Sequence, residues 1–210
     1  MVFGDPRQSI FQFCGAEPQL MIDLSRQPGV KTYQLNENYR NSRNILSYAK
    51  SIIQMAGRDY YDYSVPMRQE AGEVISVPYY PDGIVKAVSK NVDKNGNFGD
   101  WFILTRTNQD LDIMIRHLEK YDIPFNTFKR ADLTKDELNQ CLKRDTVKAL
   151  TIHAAKGLEA KNVVVIGAKF FNLEEKCVSY VAATRAKDLL IWANAKPKRK
   201  VDKIQTNSWE

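Results

Sequence analysis

The 210-residue sequence predicts an α/β fold in which helices cover both faces of a mainly parallel sheet. Three observations predict it. Trp101–Leu104, Val147–Ile152 and Val163–Ile166 are short, nearly unbroken apolar runs, the pattern of strands buried on both faces. Segments with helical spacing of apolar residues alternate with them, as crossover connections between parallel strands require. Polar and charged residues then gather beside the ends of these runs, where open sheets collect ligands.

Composition sets the outer limits. Hydrophobic residues at 43% and charged residues at 27% fit a globular chain, long enough to bury one substantial core. No apolar run approaches the roughly 20 residues of a membrane span, and the first residues lack a signal segment, so a cytoplasmic protein with no membrane contact is expected. Cys14, Cys141 and Cys177 are odd in number, dispersed and without a Cys-x-x-Cys pair, which argues against a disulfide framework and against a metal site. The net charge of +6 and pI near 9.1 favour a polyanionic partner such as nucleic acid without establishing one.

Taken in order, Met1–Gly4 reads as the end of an apolar strand and Asp5–Gln8 as the polar turn leaving it, so further chain is expected upstream. Phe11 and Phe13 follow at alternate positions, offering either flat faces to bases or core packing. Leu20–Leu24 predicts a short helix closed by Gln27-Pro28-Gly29, and Val30–Leu35 a strand. Ser42 is the expected N-cap of a helix over Arg43–Met55, whose apolar face is Ile45, Leu46, Ala49, Ile52 and Ile53. Residues 57–72 read as an irregular excursion, Glu73–Tyr80 as a strand and Ile84–Val92 as a helix. Trp101–Leu104 ends at Thr105-Arg106-Thr107-Asn108, with Asn108 as the simplest cap of a helix whose face is Leu111, Ile115 and Leu118. From this strand end Arg106 and Asn108 could also hold phosphates. Residues 123–128 are extended and 129–145 polar and helical. Leu173–Lys187 predicts a helix with Val178, Val181 and Ala182 inward, Leu189–Ala193 a last strand, and 196–200 a basic run.

Four stretches carry site chemistry: Gly4-Asp5-Pro6-Arg7-Gln8-Ser9-Ile10, Asn38-Tyr39-Arg40-Asn41-Ser42, Val147-Lys148-Ala149-Leu150-Thr151-Ile152-His153-Ala154-Ala155-Lys156-Gly157-Leu158-Glu159 and Tyr180-Val181-Ala182-Ala183-Thr184-Arg185-Ala186-Lys187. Gln8 can both donate and accept, as a phosphate-reading group must. Tyr39 offers a ring to a base and Arg40 a planar fork to a phosphate. Thr151 and His153 can donate to phosphates, Gly157 lets backbone approach closely, and Glu159 can accept from ribose hydroxyls. Arg185, taken alone, is a helix-surface arginine paired with Asp188.

In this order the four stretches resemble motifs III, IV, V and VI of UvrD/Rep-type superfamily 1 DNA helicases, and the resemblance covers most of the chain. It implies a RecA-like second motor lobe over residues 29–195, preceded at 1–28 by the tail of a first lobe and a linker, and followed at 196–210 by a basic tail. It implies the C-terminal motor domain of an ATP-dependent DNA helicase or translocase moving 3′ to 5′. ATP with Mg2+ would lie between the lobes, touched from this side by Gln8, Tyr39, Arg40, Gly157, Glu159 and Arg185. Gln8, Arg40 and Arg185 would be the catalytic contacts, with Arg185 as an arginine finger. Single-stranded DNA would meet Phe11, Phe13, Arg106, Asn108, Thr151 and His153. The sequence departs from the family in having Cys14 where an arginine is usual and only the short connection 129–145 in place of an accessory subdomain. It also contains no Gly-x-x-x-x-Gly-Lys-Ser/Thr and no apolar run ending in Asp-Glu, so the Mg2+ ligands are expected on a missing N-terminal lobe. A lobe retained as a non-catalytic nucleic-acid-binding module is the alternative.

Overall fold

The computed structural model describes residues 1–128 and 133–195. Its main sheet has six strands in the order β3-β8-β7-β4-β6-β5, and every neighbouring pair is parallel. These are β3 (Glu73–Pro78), β4 (Trp101–Thr105), β5 (Phe125–Asn126), β6 (Val147–Thr151), β7 (Ala160–Ile166) and β8 (Ala186–Ala195). A separate two-residue ladder joins β1 (Glu37–Asn38) to β2 (Val65–Pro66). The helices are α1 (Pro18–Ser25), α2 (Arg43–Ile53), α3 (Pro81–Asn95), α4 (Asn108–Lys120), α5 (Lys135–Lys143) and α6 (Leu173–Ala183).

The period-2 geometry of a strand divides each apolar run between two cores. On β4, Phe102 and Leu104 face one core while Trp101 and Ile103 face the other; on β7, Val163 and Val165 separate from Val164 and Ile166 in the same way. The first core is closed by α2 and α6 together with Ile10 and Ile22. The second is closed by α3, through Ile84, Val85 and Val88, and by α4, through Met114 and Leu118. The result is the three-layer α/β arrangement expected, with a sheet that is parallel throughout. No helix among the described residues is long and apolar enough to cross a membrane.

Several local expectations need correction. Val30–Leu35 is not a strand: it lies exposed, and pairing begins only at Glu37. Met1–Gly4 is likewise exposed and forms no strand. The cap of α4 is Thr107, whose hydroxyl accepts from the Asp110 N–H at 3.1 Å, and Asn108 is the first helical residue. On the same helix Met114, rather than Ile115, is fully buried. Ser42 occupies the N-cap position of α2 but caps nothing; its hydroxyl is buried against Gly72. In the 129–145 connection only Lys135–Lys143 is helical, opened by a capping box from Thr134 and Glu137, and 129–132 lie outside the described residues. Helix α6 stops at Ala183, because Ala186 already pairs with Ala160 in the sheet, so Arg185 sits in the two-residue turn between them. The basic tail at 196–210 lies outside the described residues.

The register fixes which strand ends are neighbours. Thr105 is level with Thr151 and Ile166 at the carboxyl end of the sheet, while Ala160 and Ala186 are paired at the amino end. Six residues separate Ala160 from Ile166, so the two ends stand about 20 Å apart. Residues 152–159 make the whole return journey, with Ile152, Ala155 and Leu158 buried at intervals of three beneath the first core.

Candidate functional site

The expected site residues do not share one crevice; they form two sets at opposite ends of the sheet, plus a network that places Gln8. At the carboxyl end, Phe13, Arg106, Thr107, Asn108, Thr151, His153 and Glu174 line an open groove of about 510 Å³. Five of the six residues proposed for DNA are therefore together. Phe13 is exposed, whereas Phe11 is half-buried, with its ring against the first core and against Phe13 and His153. His153 ties the groove together. Its Nε2 lies 3.0 Å from the Ile10 carbonyl, and its ring meets the edges of Phe11 and Phe13 at 5.6 and 5.5 Å. Burial, and then the positive charge of Arg106, hold its pKa below the usual histidine value, so it is a neutral donor at pH 7. Arg106 donates through Nε and Nη2 to the two oxygens of Glu175 at 2.9 and 2.7 Å, a bidentate pair. Thr107 and Glu174 were not singled out by sequence; a cap hydroxyl and a first-turn acid look the same in any helix.

At the amino end, Glu159 receives Arg40 Nε at 2.5 Å on one oxygen and Lys187 Nζ at 2.6 Å on the other. Burial raises the Glu159 pKa, but Lys187 and Arg40 outweigh it and the net shift is downward, so the carboxylate is charged. Arg185 lies immediately beneath. It is 1% exposed and donates to the carbonyls of Val181 and Leu158 at 2.9 and 3.0 Å and to the Thr184 hydroxyl at 3.0 Å. Burial first, and then the nearby charge of Arg40, push its pKa down to about 10, which still leaves it cationic at pH 7. The surface pairing with Asp188 does not occur, since Asp188 is held by Arg68 at 2.8 Å. Tyr39 is exposed beside this set, its hydroxyl donating to Glu37. Gly157 has φ +84° in the turn before Glu159, the left-handed region that glycine tolerates. Lys187 is the cation that sequence reasoning missed, although it stands in the same stretch as Arg185.

Gln8 is placed by a third network. Its Nε2 donates to Asp5 Oδ2 at 3.2 Å, and Asp5 Oδ1 accepts from Arg7 Nε at 2.7 Å. Arg7 continues through Nη1 to the buried Asp62 at 2.8 Å, and Asp62 also accepts from the Tyr180 hydroxyl of α6 at 2.8 Å. Residues 5–8 are thereby bound to the lobe. By charge and donor type the Arg40 guanidinium and the Lys187 ammonium on Glu159 suit an anionic ligand. Among the described residues no group of three or more His, Cys, Asp or Glu side chains is gathered closely enough to hold a metal ion.

Comparison with known proteins decides the family. The model of the UvrD-like helicase C-terminal domain matches residues 33–132 and 126–196, well over half of the chain. The chain belongs to this family. Among relatives of the UvrD-like domain, the ATP-dependent DNA helicase Rep of Buchnera aphidicola is 29% identical over 136 residues, 61% of this chain and 21% of Rep. The mitochondrial ATP-dependent DNA helicase HMI1 of Saccharomyces cerevisiae is 24% identical over 169 residues, 72% of this chain and 24% of HMI1. The chain spans only 17–24% of the length of the first such relatives. The solved C-terminal domain of a possible DNA helicase from Lactobacillus plantarum shares the fold of the UvrD-like domain, with a TM-score of 0.54 at 16% identity over 76% of this chain and 91% of that one.

Proposed function

We propose that this UvrD-like domain is the second lobe of an ATP-driven motor on single-stranded DNA. Residues 29–195 form the lobe and 1–28 belong to the connection with a first lobe. ATP is held between the lobes; its phosphates are met from this side by Arg40 and Gln8, and by Arg185 once its guanidinium exchanges the Leu158 carbonyl and the Thr184 hydroxyl for phosphate. Tyr39 faces the base and Glu159 the ribose. Arg40 and Arg185 neutralise charge that develops as the terminal phosphoryl group leaves. A Mg2+ ion, when bound, offsets charge on the same phosphates, and its ligands come from the first lobe. Single-stranded DNA lies in the groove, with a base on Phe13 and phosphates against Asn108 and Thr151; His153 joins them by exchanging the Ile10 carbonyl for phosphate, and Arg106 by exchanging the Glu175 carboxylate. The direction that the family resemblance implies is 3′ to 5′.

The observation that carries this reading is the continuous segment 151–159, which has His153 in the groove at one end and Glu159 among the cations at the other. A nucleotide that draws Arg40 away from Glu159 alters the anchorage of one end of this segment, and the grip on DNA at the other end changes with it. The test mixes the chain with a first lobe carrying a phosphate loop and measures DNA-stimulated phosphate release. The expected result is background hydrolysis by the chain alone, stimulated hydrolysis by the mixture, and a loss of about 10³-fold or more with Arg185→Ala. Full activity of the variant mixture would overturn the assignment.

A further inference from the structure

Asn41 follows Arg40 directly, is 1% exposed, and has no role in the function proposed above. Its Nδ2 lies 3.1 Å from the Thr184 carbonyl and 2.6 Å from the Ala186 carbonyl, the two carbonyls that flank Arg185. An amide NH2 group has two donors and satisfies both acceptors at once. On the other side, Asn41 Oδ1 accepts from Asn38 Nδ2 at 3.0 Å, and Asn38 Oδ1 accepts the backbone N–H groups of Arg40 and Asn41 at 3.0 and 2.9 Å. One asparagine therefore receives the backbone of the Arg40 turn, and the other grips the backbone of the Arg185 turn from both sides.

A second tie lies on the far side of Lys187. Arg68 Nη1 donates to the Arg40 carbonyl at 3.1 Å and to the Lys187 carbonyl at 3.2 Å, while Nη2 meets Asp188. The Ser42 N–H also donates to the Lys187 carbonyl at 3.0 Å. Residues 38–42 and 184–187 are some 140 positions apart in sequence, yet three hydrogen bonds join them directly, two from Asn41 and one from Ser42, and the Arg68 guanidinium bridges them by donating to both.

We infer that Asn41, supported by Arg68, is a positioning residue that fixes the separation of the backbone turns carrying Arg40 and Arg185, so that both arginines are presented to phosphate from one rigid support. The inference rests on the proposed function for its catalytic consequence and on the hydrogen bonds alone for its geometry. An arginine on an unanchored turn pays conformational entropy each time it meets the reacting phosphate; two held at a set distance present their charge with that cost already met.

Two variants separate shape from donor capacity. Asn41→Asp keeps the size and the acceptor facing Asn38 but turns carboxylate oxygens toward two carbonyls; Asn41→Ala removes the group. In the 210-residue chain, hydrogen exchange is read by NMR at Arg185 Nε–H, Ser42 N–H and Ala160 N–H, with the β4 amides as the reference. Both variants are expected to speed exchange at those three sites by about tenfold or more while β4 is unchanged. Unchanged exchange at the three sites overturns the inference, and so does a uniform increase that includes β4, which would mean general destabilisation. In the mixture with a first lobe, Asn41→Asp is expected to lower kcat about tenfold or more with KM for ATP within about twofold, because phosphate discharge and not nucleotide binding depends on the spacing. An equal rise in KM with kcat intact overturns the inference. A wild-type mixture without DNA-stimulated hydrolysis would sink the proposed function, whereas the exchange pattern of the chain alone judges the bracket independently.

Discussion

Asp62 is the anchor through which residues 5–8 are held to the lobe, and removing it tests that attachment. Its side chain is 1% exposed and accepts from Arg7 Nη1 at 2.8 Å, Tyr180 Oη at 2.8 Å and the Ser64 N–H at 2.9 Å. Burial pushes its pKa up, but the Ser64 N–H, the charge of Arg7 and the Tyr180 hydroxyl outweigh burial and hold it below the usual carboxylate range. Asp62→Ala leaves the buried phenol of Tyr180 and one side of the Arg7 guanidinium without their acceptor. Breaking a buried pair by removing one partner costs about 3–5 kcal/mol; Arg7 keeps Asp5 and some contact with water, so the lower end, about 3 kcal/mol, applies. For a chain of this length that is a fall in Tm of roughly 6–12 °C. The sign of the pH dependence follows from the depressed pKa. The stabilisation is complete above the unfolded value of about 3.9 and disappears as pH falls through the lower folded value, so wild type and variant converge below about pH 4. Thermal melts followed by far-UV circular dichroism from pH 7 to pH 3 provide the measurement. A difference at pH 7 under about 2 °C, or one that persists undiminished at pH 3, would refute the reasoning.

Two further outcomes are open to simple measurement. Gly72 has φ +68°, and a Cβ there would lie 1.7 Å from Ser42 Oγ, so Gly72→Ala is expected to cost about 2–4 kcal/mol in urea unfolding; a cost under about 0.5 kcal/mol would contradict the close packing of these two residues. His153, with its pKa lowered chiefly by burial, contributes stability that is complete above the unfolded value of about 6.5 and is lost as pH falls through the folded value. His153→Gln should therefore flatten the decline in Tm between pH 7 and pH 5, and an identical decline in both proteins would count against a buried neutral imidazole.

Much of the architecture was legible because burial on both faces leaves its mark on composition. Val163–Ile166 could only be a central strand, and the spacing of Ile45, Leu46, Ala49, Ile52 and Ile53 could only be one side of a helix; all five are buried. The end of α6 was not legible. Ala182-Ala183-Thr184-Arg185-Ala186 has high helical propensity, and what stops the helix is a sheet partner 26 positions earlier, Ala160. Nor does periodicity say which end of a strand a polar residue occupies, so Glu159 and His153, six residues apart, read as one turn although they stand at opposite ends of the sheet. Asn41, Arg68 and Asp62 escaped for a related reason. Each has a partner 118 or more positions away, and a lone buried asparagine or aspartate carries no local sign of that partner.

The separate β1–β2 ladder has a consequence of its own. Two residues on each side, with no third strand, supply too little cohesion to persist unaided in water. This ladder is sustained from below, where the Arg68 fork and the Asn41 amide tether its neighbours to the main body. The aromatic ring of Tyr39 thus rides on a small platform whose firmness is borrowed. Loosening that support would let the ring wander while the rest of the molecule kept its shape, so under the role proposed for Tyr39 a shift in nucleobase preference needs no change in the core.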